Sequence, residues 1–141
     1  MQITGDELGL NTDISVRIVA DEEELYERMA RDMLAYIARS QGGSPIGMIV
    51  PVGPIGQYAR LAELCNTQGV SCKNVVLINM DEYCDQSEQW VDEADPISFR
   101  GFMKRNFFSL LDEELRPLPS NCIFPDPENI NNVEEAIARV G

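Results

Sequence analysis

Two adjacent carboxylates, Asp81 and Glu82, follow directly on the apolar run Val75-Val76-Leu77-Ile78 in the stretch Asn79-Met80-Asp81-Glu82-Tyr83. A buried strand that ends in acids places them at the carboxyl edge of a sheet, where open α/β sheets hold their ligands. A carboxylate there can act as a general base, provided it sits at a cleft and its surroundings tune its pKa. Asp81 and Glu82 are therefore the candidate catalytic residues. The competing use of such acids is a helix cap or a solvated edge. A second candidate lies upstream, between Ile49 and Tyr58, where a Pro/Gly-rich loop joins an apolar run to a helical pattern. Glycines let the backbone approach a ligand, and the amides that open a helix favour an anion. The loop has neither the Gly-Lys-Ser/Thr of a Walker A loop nor a Gly-x-Gly-x-x-Gly fingerprint. A βα turn also uses Gly and Pro for its own geometry, so a structural role stays open.

Several chemistries are excluded by composition. The 141 residues contain no histidine, so the chain offers no Ser-His-Asp triad, no histidine ligand and no histidine acid–base work. Eleven basic against 24 acidic residues give a net charge of −13, which repels a phosphate backbone and argues against nucleic acid as a partner. Cys65, Cys72, Cys84 and Cys122 form no Cys-x-x-Cys pair, so neither a zinc knuckle nor a thioredoxin-like motif is supported. Scattered thiols and the lack of a basic-then-apolar leader point to a reduced, cytoplasmic setting. The longest apolar run, near residues 46–52, is too short to span a bilayer, so no membrane partner is expected.

The elements that must position these residues follow from periodicity. Residues 1–13 read as an irregular lead-in. Ile14 to Ala20 alternates apolar and polar and predicts an edge strand. Asp21 with Glu24 forms a capping box for a helix whose apolar face recurs at Leu25, Met29, Met33 and Ile37. Ile46–Val50 reads as a central parallel strand covered on both faces. A helix with Tyr58, Leu61, Leu64 and Cys65 on one side follows and ends at Gly69. Asn74–Asn79 is the next buried strand. Residues 84–95 read as acidic and irregular. Ser98 caps a helix carrying Phe102, Met103, Phe107, Leu110 and Leu111, Cys122–Pro125 is extended, and Asn132–Val140 is a last amphipathic helix. The Phe side chains read as core, and Arg100, Lys104 and Arg105 as a solvated helix surface. This alternation predicts a single α/β domain over 1–141, a Rossmann-like three-layer sandwich with a mostly parallel sheet.

The words N-M-D-E-Y, D-P-I-S-F-R-G-F-M-K-R-N-F-F and P-V-G-P-I-G-Q-Y resemble the glucosamine-6-phosphate deaminase/isomerase family, within the sugar-phosphate isomerase and 6-phosphogluconolactonase superfamily, from about Val16 to Gly141. The resemblance implies conversion of an amino-sugar phosphate to a keto-sugar phosphate and ammonia, by ring opening and proton transfer between C2 and C1. It implies that Asp81 is the proton-abstracting carboxylate. It also implies that Val52, Gly53, Pro54, Ile55, Gly56 and Gln57 hold the substrate phosphate, that neither metal nor organic cofactor is needed, and that the protein is a homo-oligomer. Two local departures stand out. The loop lacks the Ser/Thr hydroxyls of the family's version, and Asp95 stands where the family often has a histidine before Pro96.

In an alternating pattern the helix that closes at Gly141 calls for a further strand. The family's later Gly-rich loop, with its Asp, His and Glu for ring opening, lies beyond the position matching Gly141. The chain is therefore expected to be the N-terminal half of a larger fold, inactive by itself and prone to self-association through an open sheet edge. The alternatives are a short non-catalytic sugar-phosphate-binding or oligomerisation module and a 6-phosphogluconolactonase-like hydrolase.

Overall fold

The structure is a computed structural model that describes residues 8–10 and 12–140. Most of the lead-in expected over 1–13 lies outside the described residues. Asp21 is extended and its side chain accepts from the Glu24 amide at 2.8 Å, while Glu24 reaches back to the Ala20 amide at 2.8 Å. These two bonds start helix α1, Glu22–Ala38. Its buried stripe is Ala30, Leu34 and Ile37. The true 3.6-residue period turns the stripe away from the four-residue spacing of Leu25, Met29 and Met33.

Strand β1, Ile46–Val50, helix α2, Gly56–Gln68, and strand β2, Val75–Asn79, form a parallel β-α-β unit with Ile46 opposite Val75 and Val50 opposite Asn79. Gly69 ends α2 at φ +66°, a conformation glycine adopts without penalty. Helix α3, Phe99–Asn106, leads through short 3₁₀ turns to strand β3, Cys122–Ile123, and then to helix α4, Asn132–Ala138. The sheet order is β1-β2-β3, all parallel.

Alternation along β2 divides the molecule into layers. Val75 and Leu77 face the main core with Leu34, Ile37, Leu61, Cys65, Met103 and Phe107, contributed by α1, α2 and the α3 region. Val76 and Ile78 face Ala136 of α4 on the other side. Every residue of β2 is buried. The expected three-layer α/β sandwich with a parallel sheet is thus what forms.

Two sequence expectations differ from the structure. Ile14–Ala20 makes no ladder, and Ile14, Val16 and Ile18 are exposed, because alternation builds a strand only where a neighbour supplies backbone partners. β1, expected to be central, is an edge strand among the described residues, and its Ile49 is 63% exposed. Residues 84–95 are also ordered more than their composition suggests. Cys84 and Trp90 form an antiparallel bridge, and the Asp85 carboxylate turns the hairpin by accepting from the Ser87 and Gln89 amides. Among the described residues no helix is long and apolar enough to cross a membrane.

α3 approaches this hairpin segment so closely that a Cβ on Gly101 would lie 1.9 Å from the Glu93 carbonyl oxygen. Gly101→Ala must displace backbone. It is expected to cost about 2 kcal/mol or more, the upper range of overpacking, measured as a fall in the urea midpoint. An unchanged midpoint would contradict this packing.

Candidate active site

The Val50 carbonyl accepts from the Met80 amide at 3.1 Å, so the β1–β2 ladder runs to the carboxyl ends of both strands. The loop after β1 and the acids after β2 therefore leave the sheet side by side. Gly53, Pro54 and Ile55 are exposed, Val52 and Gly56 half-buried, and Gln57 buried.

Two side chains from the first turn of α2 hold this loop. The buried Tyr58 hydroxyl donates to the Pro51 carbonyl, and burial pushes its pKa up to about 12, so it remains a donor at any physiological pH. The Gln57 amide donates to the Pro54 carbonyl. The N-cap of α2 is Ile55, and no side chain caps the helix there. Gly56 is required by packing, since Tyr26 ring carbons lie 2.2 Å from where its Cβ would be. The cavity that reaches Gly56 from the α1 side is lined by Asp21, Glu22, Glu23, Glu24, Glu27 and Glu63 with only Arg60 in opposition. That balance of charge disfavours an anion on that side.

The two acids at the end of β2 have different fates. The Asp81 side chain is exposed and takes no hydrogen bond from the described residues. The Glu82 side chain is fully buried. It accepts from the Phe99 amide at 2.9 Å, the Arg100 amide at 2.7 Å, the Ser98 hydroxyl at 3.2 Å, Arg100 Nε at 3.2 Å and its neighbour's Tyr83 amide at 2.8 Å. Ser98 in turn accepts from the Gly101 amide at 3.1 Å, the helix cap its sequence position predicts. Glu82 thus supplies the negative charge that the α3 N-terminus favours. It is an anchor, whereas the Asp81 carboxylate makes none of these bonds.

Arg100, placed by sequence on a solvated surface, is largely buried. Its guanidinium stacks 4.3 Å from the Trp90 ring centre and donates to the Val91 carbonyl at 2.6 Å. Trp90 Nε1 donates to the Pro125 carbonyl at 2.8 Å. Lys104 and Arg105 bind the Glu93 carboxylate and carbonyl, each at 2.8 Å. Sequence reading missed this network. Its one available signal was a lone Trp in an acidic loop followed by an Arg just past a helix cap. Gln57 Oε1 and Asn79 Oδ1, at the start of α2 and the end of β2, are buried acceptors without a partner among the described residues.

Comparison with known proteins supports the resemblance in sequence and in fold. No family model matches the chain. The glucosamine-6-phosphate deaminase of Mycoplasma mycoides is 26% identical over 115 residues, 82% of this chain and 43% of that protein. The glucosamine-6-phosphate deaminase of Aeromonas hydrophila is 38% identical over 89 residues, 62% of this chain and 27% of that protein. That of Borreliella burgdorferi is 39% identical over 71 residues, 49% of this chain and 25% of that protein. A solved structure, described as a monomeric glucosamine-6-phosphate deaminase and a missing link of the NagB superfamily, superposes with a TM-score of 0.62 at 24% identity, over 89% of this chain and 48% of that one. The chain spans less than half the length of the curated relatives it matches.

The contrast between the two acids is measurable. Glu82→Ala strands several buried donors and is expected to cost about 3 kcal/mol or more in urea unfolding. Asp81→Asn is expected to stay within about 0.5 kcal/mol of the parent, as exposed positions do. Equal losses would show that Asp81 also holds the fold.

Proposed function

We propose that this chain supplies the proton-abstracting and phosphate-holding half of a deaminase/isomerase site for an amino-sugar phosphate, glucosamine 6-phosphate by the names of its relatives. The observation that supports this best is that the exposed Asp81 carboxylate and the start of α2, where no side chain caps the helix, follow the carboxyl ends of adjacent parallel strands. In this reading the amides of Gly53, Ile55, Gly56 and Gln57 grip the phosphate, and Asp81 removes the C2 proton of the ring-opened sugar. The C2–H electron pair forms a C1=C2 bond while the C1 carbonyl electrons move to O1, which takes a proton. C1 is then protonated as the nitrogen lone pair forms a C2 imine and an N–H proton leaves. Water hydrolyses the imine to the ketone and ammonia. Glu82 fixes the segment that carries Asp81 and does not itself react. With no histidine in the chain, ring opening falls to groups outside it.

The phosphate grip can be tested on the chain itself by titrating glucosamine 6-phosphate against glucosamine and following backbone amides by NMR. The phosphorylated sugar is expected to shift Gly53, Gly56 and Gln57. No atom lies within 4 Å of a Cβ added at Gly53, so Gly53→Val is expected to weaken binding while leaving the thermal midpoint unchanged. Equal response to both sugars would overturn the grip. In an active deaminase that contains this chain, Asp81→Asn is expected to lower kcat about 10²–10⁴-fold with KM little changed. Near-parental turnover would overturn the role of Asp81.

A further inference from the structure

A cavity of about 550 Å³ lies between α3 and β3. Neither Asp81 nor any residue of the loop at 51–57 lines it. The hairpin segment contributes Trp90 and Glu93, and α3 contributes Arg100 and Lys104. The chain that leads into β3, from Arg116 onward, forms another wall. The volume lies within the range of about 300–1,000 Å³ that small-molecule sites occupy.

Its walls are apolar and held in place. Phe108, Pro117, Pro119, Ile123 and Phe124 bring side chains without polar atoms. The two prolines also lack a backbone N–H, so they add no donor to the lining, and their rings fix the course of that stretch. Trp90 is pinned twice, by its Nε1 bond to the Pro125 carbonyl at 2.8 Å and by its stacking on the Arg100 guanidinium. Phe124 is buried in the main core, so this wall is continuous with the rigid interior. A site whose walls are already fixed loses less entropy when a ligand enters.

The charges around it do not cancel. Arg100 pairs with Glu82 at 3.2 Å, and Lys104 with Glu93 at 2.8 Å. Arg116 forms no ion pair among the described residues. Its Nε donates to the Leu111 carbonyl at 3.0 Å and its Nη2 to the Ser109 carbonyl at 3.5 Å, which leaves Nη1 without an acceptor among them. The lining thus carries one uncompensated positive charge in a chain whose net charge is −13. The cavity that reaches Gly56 has the opposite balance, acids with only Arg60 against them. A guanidinium presents a planar fork of donors that matches a carboxylate.

We propose that this cavity binds a small amphipathic monocarboxylate, its apolar body against Trp90, Phe108 and Phe124 and its carboxylate on Arg116. One unpaired guanidinium matches one negative charge, and a phosphate monoester with nearly two would exceed it. The apolar walls select against a sugar, whose hydroxyls would give up water for few partners. The site is therefore separate, in place and in chemistry, from the one proposed for the amino-sugar phosphate, and it stands without that reading.

Trp90 is the chain's only tryptophan, so the site carries its own reporter. The probe is 6-bromohexanoate, whose bromine quenches indole fluorescence on contact. Quenching is expected to saturate and to be reversed by excess hexanoate. The neutral 6-bromohexanol is expected to bind about tenfold more weakly or worse, the worth of one charge-assisted contact. Arg116→Gln removes the unpaired cation, and Ser109→Glu adds an acid at an exposed position of the lining. Each is expected to bring the acid down to the affinity of the alcohol while the affinity for the alcohol holds. Arg105→Gln, which alters a cation outside the lining, leaves both affinities as in the parent. Should Arg116→Gln fail to fold, Ser109→Glu and the comparison of acid with alcohol on the parent chain decide the matter. The proposal is overturned by quenching that rises linearly without saturating, by equal affinity for acid and alcohol, or by indifference to both lining variants. A chain that self-associates by light scattering and is quenched by neither probe overturns it too, since a second copy then fills the cavity.

Discussion

The buried carboxylate of Glu82 is the interaction on which the rest of this site depends. One side chain gathers the end of β2, the start of α3 and the guanidinium of Arg100, and through Arg100 the hairpin at 84–90 and the exit of β3. A buried charge is tolerable only when its lone pairs are filled, and here backbone amides, a hydroxyl and a cation fill them. The same bonds satisfy the opening amides of α3, which would otherwise lie unpaired. Neighbouring Asp81 inherits a fixed backbone without giving up its own oxygens. Consecutive residues just past the strand thus have different fates, one anchored and one exposed.

Much of this was legible in the sequence, and the parts that were not share a cause. β2 was clear because five consecutive buried positions leave an unmistakable apolar run. The caps at Asp21 and Ser98 were clear because a cap is local chemistry, readable from three or four neighbouring residues. Ile14–Ala20 shows the limit of periodicity, which reports which side chains can share a face and not whether a neighbouring backbone exists to pair with. β1 shows the same limit from the other side. Its composition suits burial on both faces, yet among the described residues one edge is open and Ile49 is exposed.

The candidate site was legible as a place more than as a division of labour. The loop after β1 and the acids after β2 could be assigned to one edge from the parallel alternation alone. Which acid was free could not, because Glu82 is satisfied by residues 16 to 18 positions away. Arg100 and Trp90 were hidden for the same reason. Neither cation–aromatic stacking nor an indole bond to the Pro125 carbonyl leaves a periodic trace.

The layering also has a consequence in time. The larger core is closed by residues between Ala30 and Phe124, through two neighbouring β-α-β units. Contacts within the β1-α2-β2 unit are close in sequence and form early, and a ribosome adds only about 5–20 residues each second. A nascent chain can therefore complete this core within seconds of Phe124 emerging. The outward backbone of β1 at Ile49 is a template for any extended segment in the crowded space around the ribosome. Once the core has closed, that edge is where this protein is most exposed to misassembly, and where a chaperone has most to gain by binding it.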